Sequence, residues 1–199
     1  DKNETSYSYP LLLNLPMYIN LFLLLGIVLM AVSALVDNPS HAFNSLILEY
    51  LHIDLHNSGK SMNIVDSISL TALIGLFIGI MGTVPGHELV HRKKKKFDME
   101  MGNWLLAFSW DCAFAVEHVY GHHKNVGLEI DPATARRGEN IYKFIFRAIV
   151  NEHVDAWKIE KNRSKRKKTS LLGFNNRMIT GYFRSICLTI LSYIIGGVS

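Results

Sequence analysis

Cysteine is scarce in this chain. The 199 residues hold two, Cys112 and Cys187, far apart and outside any CxxC pair. Thiolate zinc sites and cysteine-ligated iron–sulfur clusters therefore have no support. Both thiols sit among apolar neighbours, where a buried free cysteine is the ordinary state. Secretory processing does not explain the first apolar block either. The start DKNETSYSYP is not basic, and the apolar stretch Leu11–Val36 is too long for a leader core. No internal repeat is visible. Charge is absent from two long runs, Leu21–Val36 and the 17 residues Ile68–Val84.

Those runs decide the class. Hydrophobic residues make up 49% of the chain, but they are gathered into blocks instead of being spread with helix or strand periodicity. At a rise of 1.5 Å per residue, 17 helical residues reach about 25 Å, enough for a short bilayer crossing. The expectation is an all-α integral membrane fold, a single membrane domain over 1–199. It has transmembrane segments at about 11–36, 68–86 and 179–199. Both ends are expected to be truncated, since the chain opens without an initiator methionine and stops inside an apolar segment.

Charge sets the orientation. The loop Asp37–Ser67 carries Asp37, Glu49, Asp54 and Asp66 against a single Lys60. Arg92-Lys93-Lys94-Lys95-Lys96 and Lys158–Lys168 are strongly basic. Positive loops stay inside, so the acidic loop is expected outside and region 87–178 on the cytoplasmic side. An even number of crossings must then separate the two basic regions. The only intervening apolar segment, at about 101–117, contains Asn103 and Asp111. A buried aspartate costs about 2.5–3.5 kcal/mol in lipid, so this segment is expected to be interfacial or re-entrant. The lysine run reads as a topology signal or lipid-headgroup contact, not as a nucleic-acid site. The second basic stretch reads the same way, with docking of an acidic electron donor as a further use.

Of nine histidines, five fall into two clusters: His87-Glu88-Leu89-Val90-His91, and Glu117-His118-Val119-Tyr120-Gly121-His122-His123. Residues four apart share a helix face, so His87 and His91 can serve one metal or two adjacent ones, as can His118 and His122. On a continuing α-helix His123 points about 140° from His118, at 3.6 residues per turn. That offset suits a second metal or another face of the same site. Imidazole suits zinc, copper and iron. Gly121 would let the backbone pass close to a neighbouring helix. His41, His52, His56 and His153 show no such pattern, and the isolated Glu49-xx-His52 motif is discounted. The first cluster also spells HExxH, the zinc-protease motif. A protease site needs only one more ligand and gives no reason for three further histidines.

HELVHRK, then EHVYGHH about 26 residues later, then DPATARRGE, resemble the first two histidine boxes of membrane alkane 1-monooxygenases. That family has relatives acting on xylene side chains and lies within the membrane fatty-acid desaturase and hydroxylase superfamily. The resemblance runs from about His87 to Glu139. It implies a non-haem di-iron site reached from the cytoplasm, with O₂ as co-substrate. Electrons would come from NAD(P)H through a reductase and a rubredoxin or ferredoxin-type donor. It makes His87, His91, His118, His122 and His123 iron ligands, and Glu88, Glu117, Asp131 and Glu139 their carboxylate supports. Arg136 and Arg137 are expected to pair with those carboxylates on charge grounds. The family's third histidine box and its late Glu-His-Tyr-Gly motif are not in this chain, so the chain by itself is expected to be inactive.

The implied reaction is hydroxylation of the terminal methyl of n-alkanes or similar apolar chains in a bacterial inner membrane. An alkane C–H bond offers no polar handle to acid–base or nucleophilic groups, whereas a metal that activates dioxygen can open it. An apolar substrate would enter from the bilayer through a pocket lined by residues such as those of Leu70–Ile80, although such a stripe also suits lipid-facing surface. The alternatives are a fatty-acyl desaturase or hydroxylase, a xylene-type side-chain monooxygenase, an HExxH zinc protease and a non-catalytic metal-binding module.

Overall fold

The computed structural model describes residues 10–196. The polar start of the chain and the last three residues of the apolar segment at 179–199 lie outside them. Every regular element among the described residues is helical. Three helices are long and apolar enough to cross a membrane: Leu11–Leu35, Ile64–His91 and Arg177–Gly196. The segment at 101–117 is not among them. With its relatives reported below, this makes the chain an integral membrane protein. The described residues form two compact units, one of residues up to Pro85 with the chain end from Ile194, the other Gly86–Tyr193.

The first unit contains α1 (Pro10–Leu35), α2 (His41–Leu51), α3 (Leu55–Ser61) and α4 (Ile64–Phe77), followed by a π-helical turn, Ile78–Thr83. The side chain of Asp54 accepts the Asn57 N–H and caps α3. Asn63 and Asp66 make a reciprocal capping box at the start of α4, which satisfies donors a helix end otherwise leaves unpaired. A Cβ at Gly59 would collide with the Ala34 carbonyl, so glycine there permits the close approach of α3 to α1. The apolar side chains along α4, among them Ile68, Leu73 and Leu76, are exposed. In a membrane-spanning helix that is the surface lipid would cover.

The second unit holds the histidines. It begins within α5 (Val84–His91) and continues through α6 (Lys96–Ala107), the single turn α7 (Phe114–Glu117), a second π-helical turn at His118–His122, and α8 (His123–Asn125). A long loop leads to α9 (Ile141–Lys167), and α10 (Arg177–Gly196) follows. Between α6 and α7 the chain reverses over residues 108–113, with Trp110 in the left-handed region at φ 58°. Two glycines let α5 and α6 touch: a Cβ at Gly102 would lie 2.9 Å from both the Gly86 carbonyl oxygen and the Leu89 Cβ. Val90, Leu106 and Val119 form one buried cluster with Phe114 against it. Ala113, Val116, Ala156 and Met178 form another, joining α7, α9 and α10. The second histidine box is thus wedged between apolar clusters on both sides. Fully buried Glu160 of α9 ties α10 down. It accepts the Arg177 N–H at 2.9 Å and the Arg177 Nε at 2.7 Å, and Arg163 Nη1 donates to it at 3.0 Å. A carboxylate at a helix N-terminus also meets the positive end of the helix dipole.

Candidate metal centre

α5 presents His87 and His91 one turn apart, and their Nε2 atoms come within 2.9 Å. The second box meets them: His118 Nε2 lies 2.7 Å from His87 Nε2, and His123 Nε2 lies 3.1 Å from His118 Nε2. The ligand atoms of His87, His91, His118 and His123 all fall within 4.8 Å of one another.

His123 reaches that group because the helix does not continue with α geometry. Its N–H bonds to the His118 carbonyl five residues back, the defining contact of a π turn, which is common at functional sites. The wider turn brings position i+5 round toward position i. The 140° offset of an unbroken α-helix is thereby corrected. His123 faces the same point as His118, with ring centroids 4.6 Å apart.

His122 stands apart from the four. Its ring is stacked on that of His118 at 5.3 Å, and its Nδ1 is 2.9 Å from Asp131 Oδ2, which leaves Nε2 for a further partner. A carboxylate on the far ring nitrogen is the pattern that fixes the tautomer and orientation of metal-binding imidazoles. Asp131 is itself buried. Burial alone would raise its pKa, but the Thr134 hydroxyl, the Ala133 N–H and His122 together hold it below the usual carboxylate value.

The other acidic residues of the two boxes lie elsewhere. Glu88 is exposed and paired with Arg92 at 3.1 Å. Glu139 is gripped at both oxygens by Arg147, at 2.6 Å and 2.8 Å, and accepts the Arg136 N–H at 3.0 Å. The guanidinium expected from Arg136 or Arg137 comes instead from Arg147 on α9, a residue that sequence spacing did not single out. These contacts pull the Glu139 pKa down to about 2, the Arg147 bond contributing most. Glu117 is buried and its Oε1 has no hydrogen-bond partner. Burial first, then Glu152, Asp131 and Asp155, push its pKa up to about 7.

Sequence reading also missed Phe114, whose ring stacks on His118 at 4.5 Å and 10°. Its spacing of four residues from His118 was the available signal. Tyr120 lies between two cations, Lys93 at 4.5 Å and Arg177 at 4.2 Å from its ring. His41, His52 and His56 belong to the first unit, and His153 Nδ1 meets the Ile149 carbonyl on its own helix.

Four imidazole nitrogens facing one another fit a cation better than a proton network. The His118 pKa is pushed down to about 4, by burial and then by the neighbouring imidazoles, so its lone pair is available at neutral pH. Metal–imidazole bonds of about 2.1 Å put ligand nitrogens at right angles on a metal about 3 Å apart, close to the separations of 2.7, 2.9 and 3.1 Å. The donor set is neutral, so charge balance falls to carboxylates such as Asp131, which meets His122.

A family model for fatty acid desaturases matches residues 67–198. The chain is 35% identical over 143 residues to an alkane 1-monooxygenase of Pseudomonas putida, covering 67% of this chain and 35% of that protein. It is 31% identical over 152 residues to alkane 1-monooxygenase 1 of Alcanivorax borkumensis, covering 71% of this chain and 37% of that protein. It is also similar to the hydroxylase component of the Pseudomonas putida xylene/toluene monooxygenase, at 34% over 96 residues, 48% of this chain and 26% of that protein. The chain spans about a third of the length of the curated relatives it matches.

Proposed function

The chain belongs to the fatty acid desaturase family, and on that premise we propose that the protein is a membrane non-haem di-iron monooxygenase hydroxylating the terminal methyl of n-alkanes or similar apolar chains. O₂ is the co-substrate. Electrons come from NAD(P)H through a reductase and a rubredoxin or ferredoxin-type donor. The centre lies on the cytoplasmic face of a bacterial inner membrane, and the substrate arrives from the lipid. The observation that carries this reading is the convergence of imidazoles from two boxes, His87 and His91 with His118 and His123. The alkane 1-monooxygenases among its relatives give the reaction class.

In this reading the four converging imidazoles hold iron, and His122 offers its Nε2 as a fifth ligand. The chemistry iron supplies when bound is activation of dioxygen for insertion into an unactivated C–H bond. The chain's own residues prepare the site. Asp131 holds the proton on His122 Nδ1 and so fixes which nitrogen is free. Phe114 locks the His118 ring by stacking and shields one side of it from water. Neutral imidazoles would leave the centre cationic, and the buried Asp131 carboxylate would temper that charge.

Fatty-acyl desaturation or hydroxylation on the same ligand set is the second reading, favoured by the match to the fatty acid desaturase model. The HExxH protease reading loses support from Glu88, which would have to act as general base at the metal but is exposed and engaged by Arg92. The test is product analysis. The whole protein, with donor, NAD(P)H and octane, is expected to contain iron and give 1-octanol. A double bond introduced into an acyl chain would select the second reading. Bound zinc with cleavage of a membrane peptide would overturn both.

A further inference from the structure

The geometry points to Arg147 as a positioning residue for the metal centre, acting on His122 through the loop that carries Asp131. The inference rests on the reading that His122 is a ligand.

Arg147 sits on α9 and donates four hydrogen bonds into one loop. Nε and Nη2 take the two oxygens of Glu139, at 2.6 Å and 2.8 Å. Nη1 takes the Pro132 carbonyl at 3.0 Å, and Nη2 also takes the Thr134 carbonyl at 3.0 Å. Both ends of the segment 132–139 are therefore pinned to α9 by a single planar group. Asp131 immediately precedes the first pinned carbonyl. Its Oδ1 accepts the Ala133 N–H at 3.1 Å, and its Oδ2 is shared by the Thr134 hydroxyl and His122 Nδ1. Thr134 Oγ1 in turn accepts the Gly127 N–H at 2.9 Å, where a positive φ of 81° turns the chain back. Each bond that aims Asp131 at His122 thus starts from a residue whose position Arg147 sets.

His122 needs this support more than its neighbours do. The other four imidazoles bear on one another at their Nε2 atoms. His122 does not, and the orientation of its ring depends on Asp131. Lysine cannot replace the arginine. An ammonium is a point donor, whereas the guanidinium is a rigid planar fork whose three nitrogens here reach a carboxylate and two carbonyls at once.

The experiment is titration of the metal-free whole protein in detergent with cobalt(II), followed by visible absorption and calorimetry. Removing the support of a metal-binding imidazole typically costs 10–100-fold in metal affinity. Asp131→Asn and Arg147→Lys are each expected to weaken cobalt binding within about that range and to change the ligand-field bands. The double variant Arg147→Lys/Asp131→Asn is expected to be no weaker than Asp131→Asn alone. In a His122→Ala background Arg147→Lys should have no further effect. If Arg147→Lys binds cobalt as the wild type does, or if its loss multiplies with that of Asp131→Asn or persists without His122, the inference is overturned. Should Arg147→Lys not fold, Glu139→Gln makes the same comparison. Wild-type protein that binds no cobalt would sink the ligand reading and this inference with it. Wild-type binding that His87→Ala abolishes, combined with multiplying Arg147 effects, would sink this inference alone.

Discussion

Gly121, inside the second histidine box, gives the sharpest test of how the site is packed. A Cβ at this position would overlap Glu117 Oε1. It would also sit 3.1 Å from the Glu117 carboxyl carbon and 3.3 Å from Ile159 Cδ1 on α9. Glu117 is 2% exposed, so its carboxylate has no ready route out to solvent. Overpacking of this kind typically costs about 1–3 kcal/mol. Alanine recovers about 0.5–1 kcal/mol of that, because glycine is poor inside a helix. Gly121→Ala is therefore expected to destabilise the metal-free protein by about 1–2 kcal/mol. With Glu117→Ala the main obstruction goes, Ile159 Cδ1 at 3.3 Å is the free end of a flexible side chain that need give only a few tenths of an ångström, and the sign should reverse. Gly121→Ala in that background should be neutral or stabilising by up to about 0.5 kcal/mol. Denaturant unfolding in detergent, followed by circular dichroism across the four proteins of the cycle, measures the coupling. Equal destabilisation in both backgrounds would refute the reasoning, as would a stabilising Gly121→Ala in the wild type.

Two further outcomes follow from the charged groups of the second unit. Glu160→Ala leaves Arg163 and Arg177 facing each other across a buried gap, and breaking a buried pair on one side typically costs about 3–5 kcal/mol. Both arginines are partly exposed, so the lower end is expected, and an unfolding loss under 1 kcal/mol would count against the tie. The Glu139 carboxylate titrates at about 2 in the folded chain, against an ordinary 4.5. A depressed acid stabilises above its ordinary value and loses that contribution as the pH falls. Stability that Glu139 confers should therefore be complete above about pH 5 and disappear toward pH 2. The difference in unfolding midpoint between wild type and Glu139→Gln, measured across that window, should shrink as the pH falls; a constant difference would contradict the assignment.

How much of this was legible in the sequence differs between fold and site. The charge-free runs announced helices able to cross a membrane, because no other local pattern gathers so many apolar residues without a charge. Their limits were less legible. The second candidate span starts at Ile64, where the Asn63–Asp66 capping box looks polar and loop-like in sequence, and runs on to His91. The clustering of the histidines was also legible, because His87 and His91, four apart on α5, share one helix face and the second box is dense in histidine. What spacing could not show was the π turn at His118–His122, since a fixed period of 3.6 sends His123 the wrong way. The partner of Glu139 was invisible for another reason. Arg136 and Arg137 are near in sequence, but Arg147 lies on a separate helix, and only the folded loop brings its fork to the carboxylate.

Imidazoles from the two boxes are proposed to grip iron together. X-ray absorption at the iron edge of the iron-loaded whole protein tests it most directly. A nitrogen shell near 2.1 Å with imidazole scattering behind it is expected, diminished by His118→Ala and by His87→Ala alike. An iron shell of oxygen alone, or one that neither substitution alters, would contradict it.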